Sequence, residues 1–295
     1  MDLFATCSWK FFLRLLLGLE PIHKATPLIF GAAFHYGKAV FYATRRGAKA
    51  LDAAEKAILH FKHELESGVE PEALITRVRT LLSRWITTFG QRDLLELEIL
   101  GVEKEMKVPV PGLKGFFFTV RVDLLARRKS DRAIIIGETK TSSHSVKLTL
   151  DALELGDQVS AYVKVVGDKL GEPVSVLPDV AYWGKHTVDP AKIEIVRGTD
   201  LTRSKYATSQ FMAGVSQRFS EISQKVAAYE EGRDPGGLFP RNTFYCTAYG
   251  RRCEYAEVCR DSRLLSGYVP PGFKTSKPFD IKRLGEETWD TSIES

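Results

Sequence analysis

The run AIIIGETKTSS at residues 133–143 constrains the fold of this chain more than any other segment. Three consecutive β-branched isoleucines, Ile134 to Ile136, favour a buried strand. The strand then carries Glu138 and Lys140, and side chains two residues apart in a strand share a face. The carboxylate and the ammonium therefore point the same way, which predicts that the buried part of the strand positions a polar site at its end.

The overall composition is that of a soluble globular protein that can build a core, with 295 residues, 44% hydrophobic and 27% charged. The net charge of +5 permits a polyanionic partner without establishing one. The most apolar stretch, FFLRLLLGL at 11–19, is too short to span a membrane and contains Arg14. The start MDLFATCS lacks the basic region of a secretory signal, so we expect a reducing, cytoplasmic compartment.

Hydrophobic periodicity predicts an α/β fold in which one mixed sheet is flanked by helices. We expect helices up to about residue 90, with one at 71–89. Alternating strands follow from about residue 94, including the Asp123 strand and the Glu138 strand. Further helices are predicted at 148–167 and 202–231, and short strands in DVAYWGKHTV and KIEIVRG. The predicted organisation is a single domain over 1–264, with a helical part at 1–90, a core at 91–200, and a long helix with a cysteine segment at 201–264; a weakly ordered tail follows at 265–295.

Asp123, in TVRVDLL, lies on the strand that precedes the Glu138 strand. Few residues separate the two strands, so we expect a hairpin that brings Asp123 beside Glu138. Two adjacent carboxylates repel each other unless a cation lies between them, and Mg²⁺ or Mn²⁺ is the natural cation for oxygen ligands. Lys140 would then orient or deprotonate a water, or stabilise developing charge. The alternative for Glu138 and Lys140 is a solvated strand edge with a weak ion pair.

Four sequence elements follow one another over roughly residues 30–165. They are Gly31 and His35 in GAAFH, Asp123 on its strand, the triplet Glu138-Thr139-Lys140, and Gln158 with Tyr162 in QVSAY. In this order they resemble the PD-(D/E)XK nuclease superfamily, and within it the RecB-like branch. That branch includes the nuclease domains of RecB and AddB, the CRISPR-associated RecB-like exonucleases and phage relatives, so the resemblance implies a prokaryotic or phage-infected cell. The resemblance implies a restriction-endonuclease-like core at 91–200.

The resemblance also implies roles for these residues. His35, Asp123, Glu138 and the main-chain carbonyl of Thr139 would hold Mn²⁺ or Mg²⁺. Asp123, Glu138 and Lys140 would form the catalytic set. Taken alone, His35 is more typical of a histidine that packs between helices.

Gln158 and Tyr162 would position the substrate, although singly they are typical of a surface and a core residue. The implied activity is metal-dependent hydrolysis of DNA phosphodiester bonds at ends or in single strands, with exonuclease action favoured. The alternative is a non-catalytic or partner-dependent DNA-end-binding adaptor, with protein partners in recombination or CRISPR adaptation.

Two positions qualify the resemblance. The family often has Gly-x-x-Asp on the aspartate strand, whereas this chain has Val120 there, which affects substrate binding more than metal ligation. Glu103, in GVEKEMKV, stands where relatives often carry a strand glutamate. It is a candidate for supporting the metal ligands, or simply a solvated strand residue.

The chain has four cysteines, one near the start and three near the end: Cys7, Cys246, Cys253 and Cys259. Four thiolates in a reducing compartment suit an iron–sulfur cluster or Zn²⁺. The RecB-like resemblance implies a 4Fe–4S cluster that joins the N- and C-terminal segments. The wide C-x6-C-x5-C spacing leaves zinc as an alternative, and ordinary thiols as a further one. Arg251, Arg252 and Arg260 beside these cysteines are candidates for phosphate contacts or simply solvated side chains.

Overall fold

The computed structural model describes residues 2–143, 145–184, 192–250 and 252–277. These residues form an α/β fold with a five-stranded mixed sheet flanked by helices, which confirms the predicted fold class. The helices are α1 Asp2–Thr6, α2 Ser8–Phe11, α3 Thr26–Thr44, α4 Gly47–His60, α5 Pro71–Trp85, α6 Gln91–Glu96, α7 Val146–Leu155, α8 Asp157–Leu170, α9 Lys205–Glu230 and α10 Pro235–Leu238. The strands are β1 Leu19–Pro21, β2 Leu97–Pro109, β3 Phe117–Arg128, β4 Ile134–Ser142, β5 Val174–Tyr182, β6 Glu194–Arg197 and β7 Phe273–Thr275.

The large sheet has the strand order β2-β3-β4-β5-β6. The predicted hairpin is confirmed, because β3 and β4 pair antiparallel with Leu124 opposite Gly137. Strand β4 pairs parallel with β5, and β5 pairs antiparallel with β6. Asp123 precedes Leu124 and Glu138 follows Gly137. In an antiparallel pair these two positions are neighbours, so the register places Asp123 and Glu138 side by side at one end of the paired segment.

The chain divides into two compact units, which we name by their position along the chain. The central unit comprises Lys24–Val108 and Phe118–Phe211, and the terminal unit comprises Met1–His23, Pro109–Phe117 and Met212–Ser295. All the described strands of the large sheet lie wholly or largely in the central unit. The boundaries that the sequence predicts within 1–264 stay predictions.

Each unit has its own hydrophobic core. In the central unit, α3 packs against α4 and α5 through Phe34, Phe41 and Trp85, which are fully buried. Gly37 permits the close approach of α3, because a Cβ there would lie 2.4 Å from Leu82 Cδ2 and 3.0 Å from the Ala50 carbonyl oxygen. In the terminal unit, aromatic residues from both chain ends share one cluster. Its most buried members are Phe12, Leu13, Phe239 and Tyr255.

Several predicted elements have different boundaries in the structure. The helix predicted at 148–167 is two helices, because Gly156 between α7 and α8 is extended, with φ −78° and ψ 154°. Helix α5 continues through a π-helical turn, Ile86–Gly90, into α6, so the first strand of the large sheet, β2, begins at Leu97 rather than near residue 94. Residues 185–188 of the predicted strand DVAYWGKHTV lie outside the described residues.

The predicted tail at 265–295 is described only in part. Strand β7 pairs antiparallel with β1, with Leu19 opposite Thr275. Residues 278–295 lie outside the described residues. Within the described ranges, no helix combines the length and the apolar character needed to cross a membrane.

Candidate active site

Helix α3 delivers His35 to the end of the sheet. Gly31, one turn earlier, faces β4 closely enough that a Cβ would lie 3.3 Å from Thr141 Oγ1. A side chain at Gly31 would therefore push the helix away from the strand. With this spacing, His35 Nδ1 lies 2.9 Å from Asp123 Oδ2 on β3.

His35, Asp123 and Glu103 form a group that fits a metal ion. One ligand atom from each lies within 4.8 Å of the others. Neighbouring ligands of an octahedral ion with bonds of about 2.1 Å lie roughly 3 Å apart, which matches the distance between His35 and Asp123. One nitrogen and two carboxylate oxygens are donors that suit Mn²⁺ or Mg²⁺. The spacing and the donor atoms of these three residues thus fit a divalent metal ion.

Glu103 lies beside His35 and Asp123 and has an unusual backbone conformation. Its φ is +48°, a left-handed value that a residue with a side chain seldom adopts. Its carboxylate contacts Arg121 Nε at 3.2 Å. Burial and the nearby charge of Asp123 raise the pKa of Glu103 above its usual value. The sequence marked Glu103 only as a candidate, and the structure brings it as close to His35 and Asp123 as a ligand would be.

Glu138 lies beside this group with both carboxylate oxygens engaged. Its side chain is 2% exposed, and Oε1 lies 2.6 Å from Lys140 Nζ. Gln158 donates its amide to the same oxygen at 3.0 Å, and the Tyr162 hydroxyl donates to Oε2 at 2.9 Å. Gln158 and Tyr162 lie four residues apart on α8, so both hydrogen bonds to the Glu138 carboxylate come from the same face of the helix.

The pKa values of Glu138 and Asp123 are shifted in opposite directions. Burial and the charge of Asp123 raise the pKa of Glu138, an effect that Lys140 only partly offsets. Burial also acts to raise the pKa of Asp123, but His35, Lys38 and the Thr139 N–H together hold it below its usual value. Asp123 therefore stays ionised most readily, and Glu138 takes up a proton more easily than an exposed glutamate.

Thr139 connects the aspartate to a lysine that the sequence did not bring to attention. Its backbone N–H donates to Asp123 Oδ2 at 3.2 Å, and its Oγ1 accepts a hydrogen bond from Lys38 Nζ. Lys38 lies on α3, one turn after His35, and is 4% exposed. The signal in the sequence was a lysine within the stripe of α3 whose other buried members, such as Phe34 and Phe41, carry no charge.

A buried ion cluster lies next to these residues. Arg197 on β6 bonds Asp93 through two nitrogens at 2.6 and 2.9 Å, and Asp179 on β5 at 2.7 and 3.0 Å. Trp85 Nε1 donates to Asp179 at 3.1 Å, and the Tyr42 hydroxyl donates to Asp93 at 2.7 Å. Both carboxylates are thus paired and hydrogen-bonded, as buried charges require.

The four cysteines, predicted from opposite ends of the chain to share one site, all line a cavity of about 310 Å³ in the terminal unit. The cavity is also lined by Lys10, Arg241, Arg252 and Arg260, while Arg251 lies outside the described residues. Trp9 Nε1 donates to the Cys259 carbonyl at 2.9 Å, which links the two chain ends at the cavity wall. Burial raises the pKa of both the Cys253 and the Cys259 thiols.

A family model for the PD-(D/E)XK nuclease superfamily matches residues 1–260. The chain belongs to the PD-(D/E)XK nuclease superfamily. The mixed sheet with Asp123 on β3 and the Glu138-Thr139-Lys140 triplet on β4 accords with this membership. A comparison with curated proteins finds no match.

Among solved structures, the chain is similar to the crystal structure of a protein from Eubacterium rectale described as a "putative exonuclease". The two are 16% identical, with 89% of this chain and 80% of that chain covered and a TM-score of 0.44.

Proposed function

We propose that this PD-(D/E)XK superfamily member is a metal-dependent deoxyribonuclease of the RecB-like branch that acts on DNA ends or single strands, with exonuclease action favoured. The observation that carries the proposal is the convergence of His35, Glu103 and Asp123 within 4.8 Å of one another. The Glu138–Lys140 pair, with 2.6 Å between its charged atoms, stands next to them. Such a site combines donors for a divalent ion with a lysine that reaches solvent.

His35, Asp123 and Glu138 are the proposed metal ligands, together with the Thr139 carbonyl, and Glu103 joins them by its position. A bound Mn²⁺ or Mg²⁺ would supply Lewis-acid polarisation of a phosphodiester and a lowered pKa for water. The Thr139 N–H fixes Asp123 Oδ2, so the aspartate is oriented before any ion binds.

Lys140 is the proposed partner of the attacking water. Its side chain is 37% exposed, whereas Glu138, which it contacts, is buried. The ammonium can therefore meet solvent and substrate while the carboxylate anchors it. In this position the ammonium of Lys140 orients the attacking water or stabilises negative charge that develops on the phosphate, whereas deprotonation of the water would require the neutral amine.

Gln158 and Tyr162 are proposed to position substrate indirectly as well as directly. Both donate hydrogen bonds to Glu138. Burial and the charge of Glu138 raise the pKa of Tyr162 far above its usual value, so the phenol stays protonated and remains a donor. The pair holds the Glu138 carboxylate in one orientation, which fixes Lys140 in turn.

The cysteines are proposed to hold a 4Fe–4S cluster. All four line one cavity of about 310 Å³, which has room for a polynuclear cluster. A zinc ion bound by the four thiolates is the alternative. The positive side chains that line the cavity would offset the negative charge of a thiolate-ligated cluster.

The direct test of the nuclease proposal uses purified protein with end-labelled single- and double-stranded DNA in Mn²⁺, Mg²⁺ or EDTA. We expect cleavage with the metals and none with EDTA, and shortening from the ends if the action is exonucleolytic. Binding of DNA ends without cleavage in any metal would instead indicate the adaptor function. Cleavage that persists in EDTA would contradict the metal dependence.

A further inference from the structure

Lys38 is a buried cation beside the proposed active site, and it is neither a proposed metal ligand nor a member of the catalytic set. It is 4% exposed, and within the described ranges no carboxylate forms an ion pair with it. Its Nζ donates to Thr139 Oγ1 and stands 4.6 Å from the centroid of the Trp85 ring. Burying an ammonium with a hydroxyl and an aromatic face as its contacts costs free energy that a leucine would not.

The surroundings of Lys38 are fixed in advance. The Trp85 indole N–H is bonded to Asp179, and Asp179 is bonded by Arg197. The indole ring therefore presents one face to the ammonium, in the geometry of a cation–π contact. On its other side, Lys38 meets the threonine between Glu138 and Lys140. The lysine is thereby tied to the same strand segment as the proposed catalytic pair.

The electric field of Lys38 reaches the proposed ligands. Its charge contributes to lowering the pKa of Asp123, after the larger effect of His35. It also acts to lower the pKa of Glu103, although burial and Asp123 dominate there and raise it. Lys38 thus stabilises the ionised form of two carboxylates without contacting either, which is how a second cation in the site would act.

The side chains of the site and of the ion cluster beside it nearly balance in charge before any metal ion is added. Five carboxylates face four cations: Asp93, Glu103, Asp123, Glu138 and Asp179 against Lys38, Arg121, Lys140 and Arg197. Because a ligating imidazole is neutral, one divalent ion leaves a charge of about +1 to meet phosphate, and a second would raise it to about +3. A second divalent ion would therefore bind against strong repulsion.

We propose that Lys38 is a positioning residue that serves as the fixed second cation of the site, so that the site takes a single divalent metal ion. The inference rests on the proposed function. Its hydrogen bond aligns Thr139, and its charge acts on Asp123 and Glu103 as the charge of a second ion would in a two-metal nuclease. Because like charges repel, the same lysine weakens the binding of the first ion.

The test measures Mn²⁺ binding by calorimetry and by the electron paramagnetic resonance of free Mn²⁺, on protein with its cysteine site as purified. The wild type should bind one Mn²⁺ that is lost in Asp123→Asn. Lys38→Met should bind Mn²⁺ about tenfold more tightly, since ~1.4 kcal/mol of repulsion corresponds to a factor of ten. Lys38→Arg, which keeps the charge, should retain the wild-type affinity. Lys164→Met, which removes a surface partner of Asp168, controls for net charge.

Thermal melting gives a second readout. Mn²⁺ should raise the melting temperature of Lys38→Met more than that of the wild type, because the variant binds the ion more tightly. Unchanged or weaker Mn²⁺ binding by Lys38→Met would make Lys38 a packing residue. Two Mn²⁺ ions in the wild type, both lost in Asp123→Asn, would overturn the inference even if Lys38→Met does not fold. No Mn²⁺ lost in Asp123→Asn would instead refute the proposed metal site itself.

Discussion

His35 Nδ1 and Asp123 Oδ2 lie 2.9 Å apart, one on helix α3 and the other on strand β3. That distance is a hydrogen bond in the metal-free protein, and it is also the spacing of two neighbouring ligands around an octahedral ion. A proton or a metal ion can occupy the space between the two atoms, but not both. The proposed metal site is thus already assembled, with a proton in place of the ion.

The first prediction concerns this competition. His35→Ala should weaken Mn²⁺ binding by about 10- to 100-fold while the melting temperature changes little, since His35 is partly exposed and outside the apolar core. In the wild type, Mn²⁺ affinity should fall as the pH is lowered, because protons compete with the ion for the imidazole and carboxylate ligands. Calorimetric titration at several pH values measures both effects.

The control for His35 is His60→Ala, which removes an exposed histidine at the end of α4. A Mn²⁺ titration of His35→Ala that superimposes on those of the wild type and His60→Ala would show that His35 only packs.

Glu138 gives a prediction about stability and pH. Folding raises its pKa through burial and the charge of Asp123, so the folded state favours the protonated form. Its contribution to stability is therefore fully present below the unfolded pKa and is lost as the pH rises through the folded pKa. Metal-free Glu138→Gln should melt at a higher temperature than the wild type at pH 7, and the gain should shrink toward pH 4. Thermal melts in EDTA across this range measure it.

Glu172→Gln provides the opposite sign as a control. Hydrogen bonds from Arg127 lower the pKa of this exposed carboxyl, so its loss should slightly destabilise the protein at pH 7. If Glu138→Gln melts lower than the wild type at pH 7, the ion pair with Lys140 outweighs burial and the interpretation of Glu138 is wrong.

The packing of α3 gives a third prediction. Gly37→Ala places a methyl group 2.4 Å from Leu82 Cδ2 and 3.0 Å from the Ala50 carbonyl, so it should destabilise the protein by about 1–3 kcal/mol. Gly167→Ala on α8 meets nothing closer than 3.5 Å and should be neutral or stabilising, as alanine favours helix. Chemical denaturation of both variants makes the comparison. Equal stability of the Gly37→Ala and Gly167→Ala variants would show that the contact between α3 and α4 can accommodate an added methyl group.

The cysteine site gives a fourth prediction. Anaerobically purified protein should be brown from thiolate-to-iron charge transfer, and Cys246→Ser should bleach it and lower the melting temperature, because the link between the chain ends opens. Nuclease activity should fall in step with the folded fraction. Elemental analysis separates the alternatives: zinc without iron means a zinc site, and neither metal means ordinary thiols.

The sequence predicted the local elements better than the long-range contacts. Alternation along β3, the isoleucine run of β4 and the short connection between them predicted the hairpin, and the structure adds its register, with Leu124 opposite Gly137. The π-turn after Trp85 and the break at Gly156 were missed, since helical periodicity continues across both.

The contacts that support the site could not be predicted from periodicity. Lys38 on α3 donates a hydrogen bond to Thr139 on β4. Arg197 on β6 binds Asp93 on α6 and Asp179 on β5, so that contact joins three elements. Each of these residues, taken alone, is typical of a solvated surface charge. Only the tertiary packing of helix on sheet makes them buried, and no local pattern encodes which charge finds which partner.

The measurement that tests the central claim most directly is cleavage of end-labelled single-stranded DNA in Mn²⁺ by the wild type, Asp123→Ala and Lys140→Ala. Both residues are named for chemistry and neither is in the apolar core, so both variants should fold, with melting temperatures near that of the wild type. We predict that each loses at least about 100-fold in cleavage rate, and that Lys140→Ala still binds Mn²⁺ whereas Asp123→Ala does not. Wild-type cleavage rates in both variants would contradict the assignment of Asp123, Glu138 and Lys140 as the site of a metal-dependent nuclease.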